Sequence, residues 1–232
     1  MNASFSDFYR AVLFDLDGTL LNTLEDIGNS MNRVLSGLGF PVHTLSAYKQ
    51  FVGEGAAELV RRSLPEPMRN DALVNRCIAS LREEYAVHCM DATDTYPGIR
   101  DLLADLRRLN IAVAVLSNKP DDMVHLLLKK FFPSISFNAE VGMSESLPRK
   151  PDPAGALSIA RLINIPPKCF IFLGDSKTDM ETAKAAGMYP VGALWGFREA
   201  KELLDYGAKA LIERPADLLL YVQPDQFHFS RG

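Results

Sequence analysis

Cysteine is scarce in this 232-residue chain: Cys77, Cys89 and Cys169 are odd in number, widely spaced and form no C-x-x-C pair. That pattern argues against a disulfide framework or a cysteine zinc site, and buried thiols are expected instead. The four histidines (His43, His88, His125 and His228) lack metal-ligand spacing and read as surface or structurally satisfied side chains. Tryptophan occurs once, at Trp195. No apolar run approaches the roughly 18 residues that span a bilayer. Met1 to Arg10 lack the apolar stretch of a secretory signal, so a cytoplasmic protein with no membrane partner is expected. There are no repeats and no long charge runs. A net charge of −4 gives no basic surface for nucleic acid. Any anion must be drawn in locally, by a metal or a few placed donors.

What is present is ordinary for a protein with a substantial core: 47% hydrophobic and 23% charged residues. Ile111–Leu116 (IAVAVL) and Phe170–Leu173 (FIFL) are continuous apolar runs, as expected of parallel strands covered on both faces. Val12–Phe14 reads as a first strand, and Tyr189–Leu194 and Ala210–Ile212 as two more. Helical patterns alternate with them, at Ile99–Leu109, from about Pro120, and up to Ala186 before Gly187. This order predicts an α/β fold with a doubly wound parallel sheet. Residues 22–91 break the rhythm with helical patterns alone, around Ile27–Leu38, Ala56–Leu64 and Leu73–Val87, and a turn at Gly53 and Gly55. We expect an all-helical insertion (22–91) into a core formed by 1–21 and 92–232. It would sit at the carboxyl edge of the sheet, where open α/β folds bind ligands.

Four polar clusters punctuate the chain: Asp15-Leu-Asp17-Gly18-Thr19, Ser117-Asn118, Lys150-Pro151 and Gly174-Asp175-Ser-Lys-Thr-Asp179. Three of them fall at strand carboxyl ends, so they should converge on one crevice. Asp15, Asp17 and Asp175 would repel one another without a cation. Oxygen-only ligands with room for water suit Mg²⁺ better than Ca²⁺. Lys150 and the Ser117 hydroxyl are suited to a phosphoryl group. Singly, each cluster has a plainer use. D-x-D can cap a helix, and Asp175 to Asp179 can be an N-cap with its first-turn acid. Together and in order they fit phosphoryl transfer, where positioning and charge neutralisation supply most of the catalysis.

FDLDGTL (Phe14–Leu20), Ser117, Lys150-Pro-Asp-Pro and GDSKTD (Gly174–Asp179) resemble the four motifs of the haloacid dehalogenase superfamily, and the helical insertion resembles its C1-type cap. Phe51-Val-Gly-Glu-Gly-Ala and Trp195-Gly-Phe resemble the phosphoglycolate phosphatase group within it. The resemblance implies a Mg²⁺-dependent phosphatase acting on a small phosphomonoester, 2-phosphoglycolate first. Asp15 would be the nucleophile, forming an aspartyl-phosphate, and Asp17 the acid and base. Metal would be held by Asp15, the Asp17 carbonyl and Asp175, with Asp179 behind them. Gly18, Thr19, Ser117, Asn118 and Lys150 would bind phosphate. Asp17 also disfavours dehalogenation, which needs no leaving-group proton.

Asn22-Thr23 departs from the Asp-Ser or Asp-Thr pair of many relatives, which points to altered insertion dynamics or substrate contacts. Thr23, Gly53, Glu54, Gly55 and Arg61 are the candidate specificity residues; for Arg61 and its neighbour Arg62 a solvated helix face is the competing reading. Residues 22–91 carry seven lysines and arginines against nine acids, so a small phosphorylated metabolite fits better than a polyanion. A phosphosugar mutase or a pyrophosphatase on the same machinery is the first alternative, and a non-catalytic binding module the second. Either a monomer or a homodimer is compatible with the chain.

Overall fold

The structure is a computed structural model describing residues 9–222. His228 and most of Met1–Arg10 lie outside the described residues. Strands β1 (Ala11–Phe14), β4 (Ala112–Pro120), β5 (Ala139–Met143), β6 (Phe170–Gly174), β7 (Tyr189–Ala193) and β8 (Ala210–Ile212) form one parallel sheet in the order β5-β4-β1-β6-β7-β8. Helices α5 (Ile99–Arg108), α6 (Asp121–Phe131), α7 (Ala154–Leu162), α8 (Lys177–Ala186), α9 (Ala200–Asp205) and α10 (Leu219–Val222) complete this part of the chain. The fold is the doubly wound one expected.

Alternation along the central strand separates two apolar layers. Val12 and Phe14 join a cluster with α5 and α6, whereas Ala11 and Leu13 join one with α7 and α8. Burial on both faces is why β1 and β6 are wholly buried, apolar strands. β5 escaped the sequence reading. It is an edge strand, AEVGM, only partly buried, and so carries no apolar run. Because the chain steps from β1 outward through β4 and β5 and then returns to β6, the winding reverses beside β1. That reversal places the crevice at the β1 carboxyl end.

Between β1 and β4 lie α1 (Leu24–Gly37), α2 (Leu45–Phe51), α3 (Ala56–Ser63) and α4 (Asp71–His88). The short α2 was not anticipated. A two-stranded antiparallel ribbon, β2 (Leu21–Asn22) with β3 (Asp94–Thr95), brackets these helices. Buried Asp26 in α1 fastens the exit to the entry. Its carboxylate accepts from the amides of Ala92 (2.9 Å) and Thr93 (2.8 Å) and from the Thr93 hydroxyl (2.7 Å). All three cysteines are buried and none is in a disulfide. Among the described residues no helix is long and apolar enough to cross a membrane.

Candidate active site

Chain segments far apart in sequence meet at the carboxyl edge of the sheet. Asp15 follows β1, Asp175 follows β6, and Asp179 lies in the first turn of α8. The three buried acids each offer a carboxylate oxygen within 4.8 Å of the others. Lys150 lies between two of them and is almost fully buried; its ammonium donates to Asp15 Oδ1 and Asp179 Oδ1, each at 2.7 Å. The second oxygen of Asp179 is taken by the α8 capping box, accepting from the Ser176 amide (3.0 Å) and hydroxyl (2.6 Å).

Burial dominates the electrostatics. It pushes Asp15 up to about 7, against the pull of Lys150 and with a push from Asp179. Asp175 is raised well above the carboxylate range by burial and then by Asp15 and Asp179. Burial pulls the Lys150 ammonium down, but Asp15 and Asp179 outweigh it and hold it above its ordinary value. With all three acids ionised, one ammonium among them would leave negative charge uncompensated. All-oxygen donors of this kind suit a hard divalent cation. Two glycines permit the crowding. A Cβ on Gly18, whose φ is +87°, would lie 2.2 Å from Asp175 Oδ2, and one on Gly196 would lie 2.2 Å from the Asp175 Cβ. The Phe197 amide donates to Asp175 Oδ2 at 2.7 Å.

Asp17 faces a different environment. Lys119 donates to both of its oxygens, at 2.8 and 2.9 Å, and the Thr23 hydroxyl donates to Oδ1 at 2.7 Å. The Lys119 ammonium also lies over the Tyr85 ring of α4, 4.7 Å from its centroid. Burial pulls this ammonium down, yet Asp17 and Tyr85 lift it above the ordinary lysine value. A cavity of about 720 Å³ opens between the sheet edge and the helical insertion. Asp15, Asp17 and Ser117 line its floor, and Ile27, Leu59 and Leu81 are among the apolar residues of its walls. Of the positive side chains lining it, Lys119 is paired with Asp17 and Arg82 with Asp122 at 2.8 Å.

Residues 12–193 match the family described as haloacid dehalogenase-like hydrolase. The chain belongs to the haloacid dehalogenase-like hydrolases. Among its relatives in that family, a phosphoglycolate phosphatase of Pseudomonas putida is 36% identical over 199 residues, covering 84% of this chain and 72% of that protein. Phosphoglycolate phosphatase 1 of Pseudomonas aeruginosa is 32% identical over 216 residues, 90% of this chain and 78% of that one. The crystal structure of a predicted phosphoglycolate phosphatase from Haemophilus somnus superposes with a TM-score of 0.85 at 26% identity, covering 93% of this chain and 98% of that chain.

Not every residue singled out in the sequence reaches the cavity of this hydrolase. Gly53 and Gly55 line it, as does Asn118, whose side chain also pins the Lys150 backbone by a 2.8 Å bond from the Lys150 amide and a 3.1 Å bond to its carbonyl. Thr19 does not line it. It sits in the tight turn whose amides bond to the Leu16 carbonyl, and among the described residues its fully buried hydroxyl has no hydrogen-bond partner. Thr23 is consumed by Asp17. Glu54 is bound by Arg62 (2.6 Å) and Lys177 (3.2 Å). Arg61 lies on the outer face of α3, paired with Asp71 at 2.7 Å, which fits the solvated-face reading. His43, His88 and His125 each have a partner at 2.7–2.8 Å and none lines the cavity. Trp195 donates to the Thr19 carbonyl at 3.0 Å and does not line the cavity either. Sequence reasoning missed Lys119 entirely. The signal available was its position directly after Ser117-Asn118, at a strand end where a lysine is otherwise unremarkable.

Proposed function

We propose that this hydrolase is a Mg²⁺-dependent phosphatase of small phosphomonoesters, acting through an aspartyl-phosphate on Asp15, with 2-phosphoglycolate as the leading substrate. The observation that carries the reading is Asp15 itself. It lines the cavity on one side and touches the Lys150-bridged acid cluster on the other, so one carboxylate addresses both a substrate and a cation site. The names of the Pseudomonas relatives support the substrate.

Asp15 and Asp175 carboxylates and the Asp17 carbonyl would hold the cation, and the raised proton affinity of Asp15 and Asp175 fits a site that needs positive charge. Bound there, Mg²⁺ would offset charge on the phosphoryl oxygens. An Asp15 oxygen attacks phosphorus, and the bond from phosphorus to the leaving oxygen breaks while Asp17 supplies that oxygen with a proton. Asp17 then takes a proton from water, whose oxygen attacks phosphorus, releasing phosphate and restoring Asp15. Ser117, the Asn118 amide and Lys150 hold and neutralise the phosphoryl group, Gly18 lets the backbone pass close to it, and Asp179 orients Lys150. Residues 22–91 act as a cap whose closure excludes water. The protein works in the cytoplasm, without a nucleic-acid or membrane partner.

The volume of the cavity favours a second reading for substrate alone. It far exceeds what a two-carbon acid fills, and among the described residues the two positive side chains lining it, Lys119 and Arg82, are already paired, so a phosphosugar is the alternative. The test is release of phosphate from a generic aryl phosphate, expected to require Mg²⁺ and to vanish in Asp15→Asn and in chelator. Undiminished turnover by Asp15→Asn excludes the covalent route. A panel of phosphorylated metabolites compared by kcat/KM decides the substrate.

A further inference from the structure

Trp195-Gly-Phe-Arg198, which follows β7, touches the candidate cation site and the helical insertion within four residues. Trp195 holds the Thr19 carbonyl at 3.0 Å. Gly196 lies against Asp175 and the Gly18 carbonyl, and the Phe197 amide binds the Asp175 carboxylate at 2.7 Å. The next side chain, Arg198, turns the other way. Arg198 is 8% exposed, and its guanidinium donates to the carbonyls of Lys49 and Val52 (2.7 Å) and, at 3.5 Å, of Gln50, at the carboxyl end of α2. Glu202 holds Arg198 Nε in place at 3.2 Å.

These carbonyls belong to a stretch that the core grips at several points. Asn118 donates to the Gly53 carbonyl (3.3 Å) and Arg149 to the Glu54 carbonyl (3.0 Å), while Lys177 reaches the Glu54 carboxylate. Gly53 and Gly55 have φ of +113° and +86°, so the stretch takes a shape that side chains resist. Arg198 differs from the other grips in one respect: it directly follows Phe197, whose amide binds the Asp175 carboxylate at 2.7 Å.

We propose that Trp195–Arg198 couples closure of the insertion to the acid cluster, and that Arg198 is the positioning residue of that linkage. It acts through Phe197 on Asp175 and through α2 on residues 49–55. The inference rests on the cation site of the proposed function. Linkage is reciprocal: if seating Arg198 on α2 orders Asp175, losing that seat weakens cation binding, and cation binding tightens the grip.

The full chain supplies its own probe, because Trp195 is its only tryptophan. Mg²⁺ affinity is measured by calorimetry on the metal-free protein, with Trp195 emission followed in parallel, for wild type, Arg198→Ala and Arg198→Lys. Limited trypsin digestion scores cleavage after Lys49. Arg198→Ala is expected to bind Mg²⁺ about fivefold or more weakly, to lose the Mg²⁺-induced change in Trp195 emission, and to be cut faster after Lys49. Arg198→Lys keeps the cation but not the planar fork and falls between; it also carries the test if the alanine variant does not fold. Wild-type Mg²⁺ affinity in a folded variant overturns the coupling, whether or not trypsin cuts faster. A wild type that shows the coupling but releases no phosphate overturns the proposed function alone. An active wild type with unchanged Arg198 variants overturns this inference alone, and a chain that binds no Mg²⁺ overturns both.

Discussion

Lys119 spans both oxygens of the Asp17 carboxylate, 2.8 and 2.9 Å away, across 102 residues of sequence. The carboxylate proposed to exchange a proton thus carries a fixed partner, itself held over the Tyr85 ring of the insertion. Neither contact follows from the motifs.

Lys119→Met keeps the length of the side chain and removes its charge. We expect kcat on an aryl phosphate to fall by about 100-fold, the scale of a lost proton-transfer contribution, with KM much less affected. Steady-state kinetics checks this; an unchanged kcat would make the pair structural only.

Lys150→Met leaves Asp15 and Asp179 facing each other in a buried site. Removing one partner of a buried ion pair costs about 3–5 kcal/mol, so the variant should unfold at distinctly lower denaturant concentration. Urea titration of the metal-free variant against wild type measures the loss, and phosphatase activity should disappear.

The metal-free protein should become less stable as pH rises. Asp15 is raised from 3.8 to about 7 in the fold, so between those values it retains a proton that the unfolded chain has released. Stability therefore falls from about pH 4 to 7. Mg²⁺ replaces that proton, so its stabilising effect should be larger at pH 7.5 than at pH 5. Tm measured with chelator and with excess Mg²⁺ at both values checks the sign.

Two glycine-to-alanine changes should act in opposite directions. Gly196→Ala forces a Cβ to 2.2 Å from the Asp175 Cβ and should lower both Tm and activity. Gly37→Ala, at the end of α1 with nothing within 4 Å of the new Cβ, should raise stability by about 0.5–1 kcal/mol. Thermal melts and phosphate release on the same preparations separate the two.

Sequence alone determined the frame. Apolar runs buried on both faces announced the central strands, and the acidic and hydroxyl residues at their carboxyl ends, with Lys150 ahead of a helix, announced the crevice, because both signals are local in the chain. β5 and α2 stayed hidden for the same reason: partly buried or short elements lack a strong period. Tertiary structure decided what each side chain touches. It withdrew Thr19 and Arg61 from the cavity, spent Thr23 on Asp17, and brought Lys119 and Arg198 into contacts that link the sheet edge to the helical insertion. Such contacts depend on where distant strands end relative to one another, and side-chain chemistry read in order along a chain carries no record of that distance.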